Sequence, residues 1–418
     1  MHTREGPLGH DRMTQPARWI CAQLGSREHY AIPRVLHSDG RLEHLLTDFW
    51  ATPRWIWKSI PGGRFASARE RWHPELRDAR VQGLGLTRLV FDASNWQRGW
   101  DKTIRRNAWF QRQHLAWLRA NEKAITAGAP GIFFAYSYAA RGLLRFFKGI
   151  GWKTVLGQID PGPREEMIVA EEAARFPDSQ GRWTRAPEAY WNSWREELSL
   201  ADKIAVNSEW SMECLRLDGV PAEKMIVVPL AYEAKCGRQK NRELHGAFTT
   251  DRPLRVLFLG QVNLRKGAHH LLEAARRLVD LPIEFNFVGP VEISRPGAEL
   301  QNVRWHGPVS REETARFYAN ADVFALPTLS DGFALTQLEA LARGVPVMVT
   351  RNCGRVVEDG RNGWILPSPS ADDIAGVLRR LANSPSEVAA CASRANVPES
   401  FSLESLRGAM DRIEQSFE

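Results

Sequence analysis

The sequence predicts an α/β protein made of two doubly wound domains, each with its own parallel sheet. Short apolar strands alternate with amphipathic helices about ten times along the 418 residues. The strands are apolar throughout, which is typical of parallel sheets covered by helices on both faces. A polar stretch interrupts the alternation near the middle of the chain. A chain of this length suits two or three domains, each large enough to bury its own core.

The first half of the chain contains five predicted strands. The helix after the first strand is expected to begin near Pro33, because proline is tolerated in a first helical turn. Ser208 follows the fourth strand and is a suitable N-cap for the next helix. The five strands are predicted at residues 19–25, 131–137, 153–159, 203–207 and 225–229.

The second half repeats the pattern after the polar stretch. Residues 236–253 are interpreted as the linker between an N-terminal domain (16–235) and a C-terminal domain (254–398). Residues 399–418 are expected to form a helix that packs back across the linker. In the C-terminal domain, strands are predicted at 254–260, 283–289, 302–307, 322–327 and 346–350, with helices at 267–279, 311–320 and 333–343.

The positive charge is concentrated in residues 41–120, interpreted as an Arg- and Trp-rich insertion of the N-terminal domain. This stretch has 15 basic against 7 acidic residues and holds 8 of the 16 tryptophans. One interpretation is a solvated basic face with the tryptophans in the core. Another is peripheral contact with an anionic membrane, where cations meet lipid phosphates and indoles lie at headgroup depth. Nucleic acid is not an expected partner, because no nucleic-acid motif accompanies the charge.

The cysteines and the N-terminal sequence suggest a reducing compartment. The five cysteines are odd in number, far apart and not spaced as a metal knuckle, so free thiols and no structural zinc are expected. The first residues lack the apolar core of a secretory signal, and no apolar run is long enough to cross a bilayer. A cytoplasmic location is expected, with peripheral contact at the inner face of the membrane left open.

The first candidate site follows the first strand of the C-terminal domain. Gly260 at the strand end permits close backbone approach, and Gln261 follows it. Arg265 and Lys266 stand where the next helix begins. Two adjacent cations at a helix start are typical of a diphosphate site. A solvated cation pair at an ordinary turn is the alternative.

The second candidate site is the segment from Asp331 to Glu339. The backbone amides of Phe333, Ala334 and Leu335 are predicted to form the open N-terminus of a helix, which binds anions. Glu339 lies about two turns further on among apolar neighbours, so its carboxylate is interpreted as a group that holds ribose hydroxyls. Asp331, in the turn, is a candidate for binding the hydroxyls of whatever group is attached to the phosphate.

Together these segments resemble the family-four retaining nucleotide-sugar glycosyltransferases, which have the GT-B fold. The resemblance runs from about residue 254 to residue 381 through FLGQVNLRKGAHHLLEA, VRWHGPVSREE, ADVFALPTLSDGFALTQLEALARGVPVMVT and EDGRNGWILP. It extends more weakly into the N-terminal domain, through residues 188–211 and 225–233. Several motifs in order make the resemblance specific. It implies a GT-B fold with the donor between the domains.

The resemblance also implies residue roles. It assigns Arg265 and Lys266 to the donor diphosphate and Glu339 to the nucleotide ribose. Asp331 would hold the donor sugar and the distal phosphate, and Arg265, Lys266 and Asp331 are therefore the expected catalytic residues. This chain has Asp331 where the family commonly has glutamate, Gln261 where it often has arginine, and Ala334 where a second glycine is usual. The expected nucleotide-sugar-binding residues are Gly260, Gln261, Val309, Gly332, Phe333, Ala334, Leu335 and Glu339.

The acceptor side is expected at the strand ends of the N-terminal domain. In many relatives a histidine occupies the position near Gln158, and this chain does not have it. Asp160, His29 or the departing phosphate itself remain alternatives for the group that accepts the acceptor's proton. The candidates on this side are Gly25, His29, Tyr136, Gln158 and Asp160.

The sequence therefore predicts transfer of a sugar from a UDP-, GDP- or other nucleoside-diphosphate sugar to a glycan or lipid-linked acceptor, with retention, in cell-envelope or exopolysaccharide synthesis. Neither a cofactor nor a metal is expected, because no Asp-x-Asp sequence is present to hold a diphosphate-bound ion. A catalytically degenerate homologue that binds membrane or a partner, and a nucleotide-sugar epimerase or hydrolase, are the alternatives.

Overall fold

The computed structural model describes residues 17–51, 71–94, 96–181, 183–233, 246–294 and 300–418, and these form two parallel sheets. The first sheet has seven strands in the order β3-β2-β1-β4-β5-β6-β7, and the second has six in the order β10-β9-β8-β11-β12-β13. The strands are β1 (Trp19–Gln23), β2 (Leu42–Thr47), β3 (Val81–Gly83), β4 (Ile132–Tyr136), β5 (Lys153–Gln158), β6 (Lys203–Val206), β7 (Met225–Val227), β8 (Leu254–Leu259), β9 (Ile283–Val288), β10 (Val303–Gly307), β11 (Val323–Leu326), β12 (Val347–Thr350) and β13 (Gly363–Leu366).

Helices cover both sheets. Short 3-10 turns lie at Arg27–Tyr30, Pro74–Leu76, Pro177–Ser179, Ala222–Lys224 and Glu399–Phe401. The helices are α1 (Ala31–Ser38), α2 (Gly85–Ser94), α3 (Gly99–Ala120), α4 (Glu122–Ile125), α5 (Arg141–Gly149), α6 (Pro163–Arg175), α7 (Glu188–Leu200), α8 (Glu209–Leu217), α9 (Ala268–Arg277), α10 (Arg311–Asn320), α11 (Thr336–Ala342), α12 (Ala371–Asn383), α13 (Pro385–Arg394) and α14 (Leu403–Gln415).

Each sheet reverses its strand order once, and this reversal positions the ligand site. In the N-terminal sheet β1 lies beside both β2 and β4, and in the C-terminal sheet β8 lies beside both β9 and β11. The loops leaving β1 and β4, and those leaving β8 and β11, therefore diverge to opposite faces of their sheets. In parallel α/β sheets this divergence opens a crevice at the carboxyl ends of the strands. Two crevices face each other here.

The strands are buried on both faces, as their unbroken apolar sequences predict. Ile20 and Phe133 in the N-terminal sheet are fully buried, as are Phe285 and Phe324 in the C-terminal sheet. Ser208 caps α8 by accepting a hydrogen bond from the backbone nitrogen of Ser211 at 3.1 Å. The two doubly wound domains predicted from the sequence are present.

The last helix, α14, packs on the N-terminal domain. Its residues Leu406, Ala409, Met410 and Ile413 recur at helical spacing and are buried in the same cluster as the core residues of α1 and β1. Arg407 Nε donates to Asp39 Oδ1 at 3.0 Å at the edge of this contact. The chain thus crosses from the C-terminal domain back to the first, as an amphipathic terminal helix allows.

Interpreting residues 41–120 as an insertion is wrong for the part that the structure describes. This stretch supplies β2 and β3 of the sheet and the long helix α3. The sequence LEHLLT of β2 mixes polar and apolar residues, so its strand pattern was weaker than that of its neighbours. Trp109 is buried, and Trp50, Trp72, Trp100 and Trp117 are half-buried, whereas Trp96 is 83% exposed. Trp55 and Trp57 lie outside the described residues.

Two further expectations fall partly outside the described ranges. Residues 236–245 of the expected linker are among those the structure does not describe, and so is Cys236. Cys21, Cys214, Cys353 and Cys391 are buried free thiols. Within the described ranges, none of the helices combines the length and the apolar character that crossing a bilayer requires.

Candidate active site

Two loops of the C-terminal domain bring Arg265, Lys266 and Asp331 together. Arg265 Nη1 lies 2.9 Å from Asp331 Oδ2, and Lys266 Nζ donates to the same oxygen. The backbone nitrogen of Lys266 donates to Asn263 Oδ1 at 3.1 Å, which fixes the first loop. Burial alone would raise the pKa of Asp331, but the ammonium and the guanidinium hold it well below its usual range. The acid is therefore an anchor for two cations.

The segment after Asp331 turns sharply before helix α11 begins. Asp331 Oδ1 accepts from the backbone nitrogen of Phe333 at 3.1 Å, and Ala334 has a left-handed φ of 64°. An alanine in this region is strained by roughly 1–2 kcal/mol, because its Cβ crowds the following carbonyl. The prediction that the helix starts at Phe333 is wrong, since α11 starts at Thr336.

This turn leaves hydrogen-bond donors free at the cleft. Among the described residues, the backbone nitrogens of Ala334, Leu335 and Thr336 donate to no partner, and Thr336 Oγ1 is buried without one. Phe333 differs, because its amide is taken by Asp331. The predicted set of amides is thus shifted by one residue. Free amides in a tight turn make a concavity that suits an anion.

The N-terminal domain closes directly against this turn. Ser208 Oγ donates to the carbonyl oxygen of Gly332 at 2.5 Å, and Trp210 Nε1 donates to Ser330 Oγ at 2.9 Å. A Cβ at Gly332 would lie 2.3 Å from the carbonyl oxygen of Ile159, so only glycine permits this approach. The cleft therefore has walls from both domains at short range.

Gln158 and Asp160 form a hydrogen-bonded network at the end of β5. Gln158 Nε2 donates to Asp160 Oδ1 at 3.1 Å, and Gln158 Oε1 accepts from Trp194 Nε1 at 3.0 Å. Asp160 Oδ1 also accepts from the hydroxyl of Tyr138 and, at 2.9 Å, from the backbone nitrogen of Gly162. Burial raises the pKa of Asp160. The bonds to its Oδ1 fix the orientation of Asp160, and its role as the base stays a prediction.

Glu165 is a residue of the site that the sequence reasoning missed. It lies in the first turn of α6, and its Oε2 lies 3.7 Å from Arg265 Nη1 of the other domain. Burial, reinforced by the carboxylates of Asp160 and Asp331, raises the pKa of Glu165 to about 8 although Arg265 opposes the shift. The acid-rich start of a helix just after β5 was the available signal.

These residues line one cavity of about 550 Å³ between the domains. From the C-terminal side it is lined by Arg265, Lys266, Asp331 and the predicted turn residues Gly332, Phe333, Ala334 and Leu335. From the N-terminal side it is lined by the predicted Tyr136, Gln158 and Asp160, and by Arg27, Glu28 and Glu165. The predicted donor and acceptor sides thus meet in one place.

Other predicted site residues lie outside this lining. Glu339 is one turn beyond Thr336 on α11, and its Oε2 accepts from the hydroxyl of the buried Tyr318 at 3.0 Å. His29 lies in the 3-10 turn beside Glu28, with a left-handed φ of 50°. The remaining ones are Gly25, whose nitrogen donates to Asp48, and Gly260, Gln261 and Val309 near the ends of β8 and β10.

The sequence of the C-terminal domain matches a known family. Residues 253–384 match the family described as Glycosyl transferases group 1. This part of the chain is similar to the group 1 glycosyltransferases. The chain is 30% identical over 230 residues to the MMP alpha-(1->4)-mannosyltransferase of Mycolicibacterium hassiacum, covering 50% of this chain and 53% of that protein. It is 27% identical to the amylovoran biosynthesis glycosyltransferase AmsK of Erwinia amylovora, covering 68% of each.

A third glycosyltransferase relative is matched over a shorter region. The D-inositol 3-phosphate glycosyltransferase of an Arthrobacter species is 34% identical over 146 residues, covering 31% of this chain and 34% of that protein. This chain therefore spans about half of the mannosyltransferase and about a third of the inositol phosphate enzyme.

Solved glycosyltransferase structures share the whole fold. Anabaena HepE in complex with UDP and glucose superimposes with a TM-score of 0.60 at 14% identity, covering 96% of this chain and 100% of that one. The sucrose-phosphate synthase of Thermosynechococcus elongatus gives 0.63 at 17% identity, covering 96% and 99%. The predicted GT-B architecture is confirmed.

Proposed function

We propose that this protein transfers a sugar from a nucleoside-diphosphate sugar to a glycan or lipid-linked acceptor, with retention of configuration, in polysaccharide or cell-envelope synthesis. The observation that carries the proposal is the pairing of Arg265 and Lys266 on one oxygen of Asp331, next to three free amides and the Thr336 hydroxyl. These donors lie in the part of the chain that is similar to the group 1 glycosyltransferases, and they face an interdomain cavity. The relatives named for polysaccharide synthesis support the pathway class.

The chemistry follows from charge. When the bond between the anomeric carbon and the diphosphate breaks, its electron pair goes to the phosphate oxygen, while positive charge develops on the sugar ring. Cations and amides already fixed around that oxygen stabilise the transition state more than the ground state. Asp331 holds Arg265 and Lys266 in place before the donor arrives, so little reorganisation is needed at the moment of reaction.

Retention requires the acceptor oxygen to attack from the face that the diphosphate leaves. In the proposed step the new bond forms between that oxygen and the anomeric carbon, and the acceptor's proton moves to the departing phosphate. No protein base is then needed. A protonated Glu165 next to Arg265 would donate a hydrogen bond to the leaving group or the sugar.

Titration with a panel of nucleotide sugars tests the proposal. Binding of at least one donor, slow release of free sugar without acceptor, and an α-linked product from an α-linked donor are the expected results. Failure of every donor to bind would instead favour the degenerate homologue. Rapid hydrolysis or epimerisation without an acceptor would favour a nucleotide-sugar hydrolase or epimerase. Activity that persists in a chelator is expected, because side chains and amides are proposed to neutralise the diphosphate.

Peripheral contact with an anionic membrane is a second part of the proposal. Trp96 and Val90, which are 83% and 69% exposed, lie in the basic stretch near the junction of α2 and α3. Indoles and cations together favour the headgroup region of anionic bilayers. Flotation with vesicles containing phosphatidylserine should recover more wild type than Trp96→Ser, and recovery independent of lipid charge would count against the contact.

A further inference from the structure

A second cavity, of about 220 Å³, lies in the N-terminal domain beside the cleft. It opens where the strand order of the first sheet reverses, between the ends of β1 and β4. Arg27, Tyr136 and Ile159 line both this cavity and the interdomain cleft. A molecule that fills it would therefore extend into the cleft. We call it the arginine cavity.

The charge of the arginine cavity is unbalanced. Four guanidinium groups line it, from Arg27, Arg71, Arg88 and Arg106, against the single carboxylate of Asp48. Arg71 and Arg88 are half-buried, whereas Arg27 and Arg106 are exposed to solvent. Like charges at this range repel each other, and an anion bound between them lowers that repulsion. Planar guanidinium groups bind phosphate and carboxylate oxygens through paired hydrogen bonds. The composition of the wall thus points to an oxyanion.

Asp48 does not satisfy all four cations. Its Oδ1 accepts from Arg71 Nη1 at 2.6 Å and from the nitrogen of Gly25 at 2.9 Å, and its Oδ2 accepts from Arg88. Arg88 Nε also donates to Asp92 Oδ2 at 2.7 Å, so Arg71 and Arg88 both have partners. Arg27 instead lies over the ring of Tyr136, 5.2 Å from its centroid. Arg106, on α3, has no hydrogen-bond or ion-pair partner among the described residues. Cationic donors therefore remain available to a ligand.

Two buried polar side chains of the same wall also lack partners. Asn107 and Ser137 are 6% and 5% exposed, and Asn107 Oδ1 and Ser137 Oγ make no hydrogen bond within the described part of the chain. Leaving a buried polar atom unpaired costs roughly 1–3 kcal/mol, so such atoms usually mark a missing partner. Their presence is independent of the arginine charges and indicates the same occupant.

We infer that the arginine cavity binds an anionic group, a phosphate or a carboxylate, on the acceptor sugar. This inference rests on the proposed transfer function, because it assigns the class of acceptor. The anion would be held by Arg106, Arg88, Arg71 and Arg27, and the rest of the acceptor would extend past Tyr136 toward Glu165 and the donor. A neutral acceptor would leave Arg106 without an ion-pair partner among the described residues.

Calorimetric titration of the full chain with inorganic phosphate, and separately with acetate, tests the inference. The protein is first saturated with the nucleoside diphosphate that it binds best, so that the donor site is filled. The matched pair is Arg106→Gln and Arg112→Gln, since Arg112 is exposed on the same helix and lies outside the cavity lining. Phosphate binding above acetate would indicate a phosphorylated acceptor, and the reverse a uronate-like one.

We expect Arg106→Gln to weaken binding of the anion about tenfold and Arg112→Gln to leave it unchanged. Ser137→Ala should weaken binding without lowering the melting temperature, because its hydroxyl has no partner to lose within the fold. No anion binding to the nucleotide-saturated wild type, or equal effects of the two arginine variants, would overturn the inference. Failure of the proposed function would appear separately, because the protein would then bind no nucleoside diphosphate. In that case, titration of the free protein with phosphate and acetate still compares Arg106→Gln with Arg112→Gln.

Discussion

The two walls of the cleft handle charge in opposite ways. On the C-terminal wall the two cations of consecutive residues are already paired with Asp331, so the proposed donor site is organised before any ligand binds. On the N-terminal wall four arginines line one cavity, but its Asp48 pairs only with Arg71 and Arg88. Arg106 has no ion-pair partner among the described residues. The comparison teaches that the cations of the proposed phosphate site are held by a carboxylate of their own wall, whereas the proposed anion site on the other wall keeps donors without a partner among the described residues.

The largest expected effect comes from a substitution in the C-terminal wall. Lys266→Ala removes a cation fixed at the departing phosphate, and it should lower kcat by a factor on the order of 10²–10³, or roughly 3–4 kcal/mol. Steady-state kinetics with the best donor measures this. Lys123→Ala, an exposed lysine on α4, is the control and should keep wild-type kcat. Equal rates for the two variants would remove Lys266 from the diphosphate site.

Gly332→Ala tests whether both walls must meet. Its Cβ would lie 2.3 Å from the carbonyl oxygen of Ile159 and 2.8 Å from Asn207 Nδ2, so the domains must move apart. A displacement of this kind should lower kcat/KM by about tenfold or more, because catalytic groups misplaced by about 1 Å lose on the order of 10²-fold. Gly376→Ala, with open space at its Cβ, is the matched control. If Gly332→Ala behaves like this control, the closed contact is not needed for turnover.

Glu165 lies where the two walls meet, and its pKa of about 8 gives a pH test. The protonated form, which donates a hydrogen bond, predominates below the raised pKa and is lost as pH rises through it. We expect kcat to decline above about pH 8. Glu165→Gln should stay within about threefold of wild type at pH 7 and lose that decline, because its amide keeps a donor at every pH. A profile unchanged by the substitution would exclude Glu165 as the titrating group.

Glu172 on α6 links the same two domains away from the cleft. Burial raises the pKa of Glu172, but its hydrogen bonds with His269 Nε2 at 2.8 Å and His270 Nε2 at 2.6 Å have the opposite effect. The two bonds outweigh burial and lower the pKa to about 2. Because the pKa of Glu172 is lower in the folded state than in the unfolded state, its ionised form stabilises the fold. This stability is fully present above the unfolded pKa of 4.5 and is lost as pH falls toward 2.

The pKa shift of Glu172 corresponds to a contribution of at most about 3 kcal/mol to the free energy of unfolding. Urea unfolding between pH 6 and pH 2 measures it. The wild type should lose more stability across this window than Glu172→Gln does. Glu171→Gln, the neighbouring acid whose side chain is exposed, should follow the wild type. Parallel curves for wild type and Glu172→Gln would show that the linkage is absent.

The contrast between the walls also explains what the sequence could predict. Arg265 and Lys266 are adjacent in sequence, and Asp331 begins the turn after a clear strand. The local sequence pattern was therefore sufficient to select these three residues as candidates. Strand β2 and Glu165 were missed, because a half-polar strand and a helix-start acid acquire their roles only from tertiary contacts. The arginine cavity draws on residues from Ala22 to Tyr190 and has no local motif.

Glu339 and Ala334 show a different limit. The apolar neighbours of Glu339 are buried because α11 packs in the core, and its carboxylate accepts from Tyr318. The predicted contact of Glu339 with a ribose stays a prediction. Ala334 adopts a left-handed φ that sequence propensity disfavours, and this delays the helix by three residues. Contacts around the turn hold the backbone in this strained conformation, and the helix propensity of single residues does not include such contacts.

The central claim is that Arg265, Lys266 and the amides of residues 334–336 form the diphosphate site. A crystal structure with the nucleoside diphosphate that binds best tests it most directly. We predict that the distal phosphate lies within hydrogen-bond distance of Lys266 Nζ and of at least one of these amides, with Asp331 still contacting both cations. A diphosphate bound elsewhere in the molecule, with these donors unoccupied, would contradict the claim.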